Sequence, residues 1–290
     1  MRFRLHPKSS LSRGIRRVAR TEADAALRVI RRSHPLSKSH VHALRKNLKR
    51  LRALMRLVED PRRRRLRRAS RALAPLRDVD VVRSTLKALM SDDTRLMPEQ
   101  SRVAIDQQLR RLHRDRVKHA MKDRTLDKVE KAVRKTAARV GKWRPAGRHF
   151  GAFRPGLILA HQRCRQALRR AASGGRDVDF HDWRKRLSVV RDHLLLLAPR
   201  GSRLHADATA LDRAVTSLGD DHNLVVLRET LQRLAAERGP AIDLGHLQAT
   251  LAARQRQLRR KALREASAIC LRDSDDYVRS LEAAWKRSRR

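Results

Sequence analysis

Cysteine, aromatic and acidic residues are all scarce in this chain. Its 290 residues include two cysteines, Cys164 and Cys270, and no CxxC pair. A disulfide framework and a Cys-rich zinc site are thereby excluded. Aromatics make up 3% (one Tyr, three Trp, four Phe). Proteins that read single strands usually stack bases on such rings, so base stacking is disfavoured. Asp and Glu total 30 against 72 Lys and Arg, a formal charge of +42. No long apolar run occurs; Leu194–Ala198 is far below the roughly 20 residues of a membrane span. The segment MRFRLHPKSSLSRG lacks the apolar core of a secretory signal, and only faintly resembles a transit peptide. A reducing, cytoplasmic location without membrane insertion is expected.

Catalytic signatures are missing too. No P-loop, HExxH, nucleophile–base or paired-carboxylate pattern is visible. His34, His40 and His42 are not joined by metal-ligand spacing on a helix. The chain is expected to be no enzyme and to take no cofactor or metal. Asp220-Asp221-His222 reads as acid near a helix start, and Asp78 and Asp80 as partners of nearby Arg.

What is present is helix. Apolar residues make up 40%, enough for a core, and they recur at spacings of three and four with Arg and Lys between. An all-α fold is predicted, with helices near 11–32, 38–59, from Asp60-Pro61 onward, and 99–139. The Gly- and Pro-rich stretch 141–156 reads as a linker. Further helices are predicted near 156–172, 179–198, 203–219, 221–237 and 243–285, the last interrupted near Ser274.

The two halves match. VHALRKNLKRLRALMRLV at 41–58 aligns with FHDWRKRLSVVRDHLLLL at 180–197, and 73–89 aligns with 218–234. Matched order and offsets point to duplication. The halves divide as 1–145 and 146–290, two helical bundles related by a pseudo-two-fold axis.

A helical projection of 38–59 places His42, Arg45, Lys46, Lys49, Arg52 and Arg56 on one side. Val41, Leu44, Leu48, Leu51, Leu54, Met55 and Val58 take the other. No acidic residue precedes Glu59 to relieve this like-charge row, so a bound anion is expected to do so. In the second half His181, Arg184, Lys185 and Arg191 share a face opposite Phe180, Trp183, Leu187, Val190 and Leu194. Arg13, Arg16 and Arg20 share a face of the first helix, His161 and Arg165 share one after the linker, and Arg77 precedes Asp78. For these six, ligand contact and ordinary surface charge read equally well. Arg62-Arg63-Arg64-Arg65 circles its helix and reads as a solvated patch, with nucleic-acid contact or localisation the alternative.

At HALRKNLKRLR (42–52), LRDVDVV (76–82), HDWRKRLSVVR (181–191) and LGDDHNLVV (218–226) the sequence resembles a CHAD domain, the conserved histidine α-helical domain. The motifs occur in the family's order. The resemblance implies a pair of four-helix bundles with basic residues lining a central surface. It also implies binding of inorganic polyphosphate and association with polyphosphate granules. Carried over residue by residue, it implies a site of His42, Arg45, Lys46, Lys49, Arg50, Arg52, His181, Arg184, Lys185 and Arg191. Many members carry a triphosphate tunnel domain ahead of this one; none is expected here, so no triphosphatase activity is implied. Ser188 stands where a Lys is frequent, and His222-Asn223 replaces a more usual Asn-Asp pair. The competing reading is nonspecific DNA or RNA binding driven by charge.

Overall fold

The computed structural model describes residues 3–6, 10–32, 37–93, 96–143, 150–238 and 244–289. Among them the chain forms eleven α-helices: α1 Leu11–Arg32, α2 Lys38–Leu57, α3 Arg63–Ala72, α4 Ala74–Asp92, α5 Glu99–Lys122, α6 Thr125–Val140, α7 Arg154–Gly174, α8 Asp177–Leu197, α9 Arg203–Arg238, α10 Gly245–Cys270 and α11 Ser274–Arg287. A 3-10 turn, Phe150–Phe153, precedes α7. No strand occurs among the described residues.

Each amphipathic stripe buries as its spacing predicts. Val41, Leu44, Leu48, Leu51, Leu54 and Met55 of α2 lie in the core, as do Phe180, Trp183, Leu187, Val190 and Leu194 of α8. Helix α1 packs on α2 and α6, as α7 packs on α8 and α11. Where the halves meet, α2 contacts α7 and α8, and α4 contacts α9.

The core does not follow the division at residue 145. One apolar cluster runs from Phe3 to Trp285 through α1–α3, the start of α4, α6–α9, α10 and α11. The other joins α4 and α5 to α9 and α10. Each cluster takes residues from both halves, so the halves share their cores.

Four expectations need correction. The helix predicted for 99–139 is two, because Arg124 adopts left-handed backbone (φ 50°) and α6 turns back onto α1 and α3. The break predicted near residue 220 is absent: α9 runs unbroken for 36 residues. Asp221 is therefore mid-helix, where it accepts from Arg259 Nε at 2.8 Å and Gln255 Nε2 at 3.3 Å. It belongs to a network, completed by Asp177 and Arg228, that fastens α8, α9 and α10 together. Asp60-Pro61 does not begin α3, which starts at Arg63. Asp60 is buried and instead accepts from Arg62 and from Trp143 Nε1 at 3.1 Å. Finally, the stretch 141–156 joins α6 to α7 but runs on into α7, which begins at Arg154, and it packs its aromatics inward: Trp143, Phe150 and Phe153 are buried. Residues 144–149 of that stretch, and the predicted break at 33–36, lie outside the described residues.

Two backbone details set the angle between helices at the site. Helix α2 ends in a Schellman turn, with Asp60 N donating to Met55 O (2.8 Å) and Glu59 N to Arg56 O (3.1 Å). Glu59 takes the left-handed position (φ 52°) usually given to glycine. Against this end lies Gly156 of α7. A Cβ there would stand 2.8 Å from the carbonyl oxygens of Arg56 and Leu57. Only glycine lets α7 approach so closely.

Candidate functional site: a track of unpaired cations

The site grows outward from α2. Its polar face carries His42, Arg45, Lys46, Lys49, Arg52 and Arg56, spread over about 21 Å of helix at 1.5 Å per residue. The next helices supply the facing wall. Arg63, Arg67 and Arg71 fall at i, i+4 and i+8 on α3, hence on one side. Arg56 feels Arg63, and Arg52 feels Arg67 and Arg71. Arg77 on α4 bears on His42 and Arg45. From the second half, Arg184 of α8 is buried and bears most strongly on Arg77 and Arg45, with Asp221 and Asp78 opposing from beyond ion-pair distance, and Lys185 feels Arg71.

Few of these charges are neutralised. Among the described residues, no ion pair within 4 Å involves Arg45, Lys46, Arg52, Arg56, Arg67, Arg71, Arg77, Arg184 or Lys185. Arg45 Nη1 donates to Ser70 O at 3.0 Å and Arg77 Nη2 to Asn223 Oδ1 at 3.1 Å, both neutral acceptors. The buried Nε of Arg184 has no hydrogen-bond partner. Burial, then repulsion by Arg77 and Arg45, lowers Arg184 to about 10. Burial, then Arg52, Arg63, Arg186 and Arg163, does the same to Arg56. A guanidinium does not give up its proton at neutral pH. The depression instead reflects burial first and mutual repulsion second, and an anion would relieve the repulsion. Lys49 is pushed to about 8, chiefly by burial, with Asp192 opposing.

Two imidazoles sit at one end. His181 and His222 have ring centroids 4.0 Å apart. Arg184 Nη2 lies 3.2 Å from His181 Nδ1. Since arginine only donates, Nδ1 accepts and His181 is neutral, with its proton on Nε2. Burial first, then Arg184 and Lys185, lowers His181 to about 4. Burial, Arg184, His181, Arg77 and Lys185 lower His222 to about 2. His42 is lowered as well, by burial and then Arg77.

Not every residue predicted for the site reaches it. His161 is fully buried and stacks on Tyr277 at 4.3 Å. Its ring nitrogens lie 3.0 Å from Ser274 Oγ and 3.2 Å from Ile269 O. It is a core histidine, not a ligand contact. Arg50 leaves the stripe for buried Glu22 (3.1 Å) and the ring of Phe3. Arg191 is held between Asp192 (2.5 Å) and Asp212 (2.7 Å). Arg16 donates to Ser12 O and Gly141 O, tying α1 to the end of α6. Arg13 and Arg20 are exposed on that same helix, and Arg165 lies near Asp273 (3.8 Å) and Arg272 O. Ser188 is buried where α8 meets α2.

Sequence reasoning missed Arg67 and Arg71 and treated Arg63 as part of a solvated run. The i, i+4, i+8 spacing was the available signal. His222 was noted as a departure and as part of Asp220-Asp221-His222, not as a site residue. Its ring contact with His181 depends on a contact between α8 and α9 that no local pattern announces. Among the described residues no group of three or more His, Cys, Asp and Glu could hold a metal ion. No helix among them is long and apolar enough to cross a membrane.

Fold and site together define an all-helical protein with a row of cations, drawn from α2, α3, α4 and α8, that have no carboxylate within 4 Å among the described residues. The CHAD domain family model matches residues 21–232, and the chain belongs to that family. Two solved structures share its fold. A CHAD domain from the plant Ricinus communis superposes with a TM-score of 0.57 at 18% identity, covering 97% of this chain and 94% of that one. PptA from Streptomyces chartreusis gives 0.57 at 16% identity, covering 97% and 99%. No curated protein matches the chain.

Proposed function

We propose that the chain binds inorganic polyphosphate along the α2 track without turning it over, and that this binding targets it to polyphosphate granules in the cytoplasm. The observation that carries the reading is the row Arg45, Arg52, Arg56, Arg67, Arg71, Arg77 and Arg184, drawn from four helices and left without carboxylate partners. Such a row suits a flexible polymer with a negative charge at each unit. Arginine forks engage phosphate oxygens in pairs, while Lys46 and Lys185 add point charge. We read 1–145 and 146–290 as duplicated halves related by a pseudo-two-fold axis, with the track along their junction.

Nucleic acid is the competing polyanion. All eight aromatic residues are buried, so none is offered to an unstacked base. The test is a competition titration. Nucleic-acid-free protein is loaded with labelled long-chain polyphosphate at about 0.3 M salt, which weakens nonspecific backbone binding. Charge-matched single-stranded RNA or duplex DNA is then added. Unlabelled polyphosphate should displace the label and neither nucleic acid should. Equal displacement by either would replace this reading with the nucleic-acid one. Free phosphate should not rise during the titration.

A further inference from the structure

The geometry points to a second polyphosphate-binding segment on the outer face of α7, a ramp that carries long chains beyond the α2 track. The inference rests on the polyphosphate reading above. Helix α7 has five arginines and, like the α2 stripe, no acidic residue. Three of the five find aspartates on other helices or at their caps: Arg154 with Asp275, Arg165 with Asp273 at 3.8 Å, Arg170 with Asp182. Among the described residues Arg163 and Arg169 find no carboxylate within 4 Å. Both line a trough of about 400 Å³, together with Leu159, Gln162, Arg165 and Gln166.

The trough begins where the track ends. Arg56, the last cation of α2, feels Arg163 of α7 and Arg186 of α8. The glycine contact fixes this juncture, because Gly156 sits against the carbonyls of Arg56 and Leu57. Arg163 and Arg169 follow seven and thirteen residues later, about 10 and 20 Å along α7. A polyanion leaving Arg56 therefore meets Arg163 and then Arg169, about 120° round α7 and roughly 9 Å further on, with the Gln162 and Gln166 amides on the same trough wall as donors. A short anion saturates on the α2 track and never reaches them. A long chain gains a linked second segment at high effective concentration.

The test separates chain lengths. Affinities for tripolyphosphate and for a polyphosphate of several hundred units are measured at about 0.3 M salt, where the Debye length is about 6 Å. Four proteins are compared: wild type, R163E/R169E on the ramp, R45E/R184E on the track, and R256E/R260E on the exposed face of α10. We expect R163E/R169E to weaken long-chain binding about tenfold and leave tripolyphosphate within about twofold. The α10 pair should change neither beyond that. The inference fails if the ramp variant matches wild type on long chains. It fails equally if that variant weakens both lengths by one factor, or if the α10 pair lowers long-chain affinity as much. Should R45E/R184E retain full affinity for both lengths, the polyphosphate reading of the track itself falls, whatever the ramp does.

Discussion

Helices α2 and α8 carry the same HxxRK motif and aligned cations, yet the fold treats them differently. On α2 the cationic face stays largely unpaired, with only Arg50 diverted to Glu22. On α8 much of the charge is consumed. Arg186 pairs with Asp182 at 3.3 Å, and Arg191 with Asp192 and Asp212. The cause is position. Helix α8 contacts α7, α9 and α2, so its second face is buried through Ser188, Asp192 and His193. His193 Nε2 even donates to the carbonyl of Ala53 on α2, at 3.1 Å. Helix α2 is no less surrounded, but its polar face looks onto Arg63, Arg67, Arg71 and Arg77 rather than onto aspartates, so its charges stay available to a ligand. Two helices with the same motif thus contribute unequally: α2 supplies most of the row, whereas α8 adds Arg184 and Lys185 and spends its later arginines on aspartates.

The comparison breaks most sharply under charge reversal. R45E/R52E on α2 should weaken polyphosphate binding about 100-fold or more, because it both removes phosphate forks and adds repulsion. Its thermal midpoint should not fall, since a like-charge cluster is being relieved. Anisotropy titration alongside a melting curve checks both halves of this statement. A large loss of stability would mean that the stripe is structural.

On α8 the expected effects exchange places. R191A leaves Asp192 buried without its partner, at a cost of about 3 kcal/mol of folding stability. Polyphosphate affinity of the folded protein should stay within about threefold of wild type, a bound drawn from Arg191's existing carboxylate partners. Urea unfolding measures the first and titration the second. Unchanged stability with lost affinity would return Arg191 to the binding surface.

A smaller effect concerns protons. His181, His193 and His222 are held neutral in the fold, with His181 and His193 near 4 and His222 near 2, each first by burial. Their unfolded value is about 6.5. Groups depressed in this way favour the folded state above pH 6.5, and that contribution is lost as pH falls from 6.5 toward 4. The free protein should therefore melt at a lower temperature at pH 5 than at pH 7. His181 and His222 face Arg184 and Lys185 of α8 and Arg77 of α4, with Asp182 opposing at His181. Bound phosphate would offset those cations, so binding at pH 5.5 should take up protons. Calorimetry in buffers of different ionisation enthalpy detects this uptake. H222N should diminish it while leaving the His193 part of the melting shift. Binding heats independent of buffer would remove the imidazoles from the site.

The smallest effect is at the helix juncture. G156A should cost about 1–3 kcal/mol by overpacking, since a methyl must fit 2.8 Å from two carbonyls. Any loss of affinity should be confined to long chains, because the displaced element is α7 rather than the α2 track.

Much of this was legible in the residues. The apolar spacing of 41–58 and 180–197 gave the buried faces of α2 and α8 correctly, because that pattern directly reflects which side meets the core. The cationic side of α2 followed from the same projection. The unbroken α9 was not legible. Asp220-Asp221 resembles a helix start, but Asp221 is satisfied by Gln255 and Arg259 on α10, 34 and 38 residues away. The role of His161 was hidden for the same reason, since its hydrogen-bond partners lie more than 100 residues downstream.

The amino-acid order by itself determined the helical class, the excess of +42, and the row of α2 cations with no acid among them. These are properties of composition and of a 3.6-residue period, so they need no partner segment. Tertiary structure decided which cations remain free. Arg50, Arg191 and Arg165 met carboxylates brought from other helices or turns, whereas Arg45, Arg52, Arg67 and Arg184 met chiefly other arginines, with Asp78 and Asp221 acting only from beyond ion-pair distance. Charge is fixed by residue type, but compensation depends on distance, and distance across the fold is set only when the helices pack.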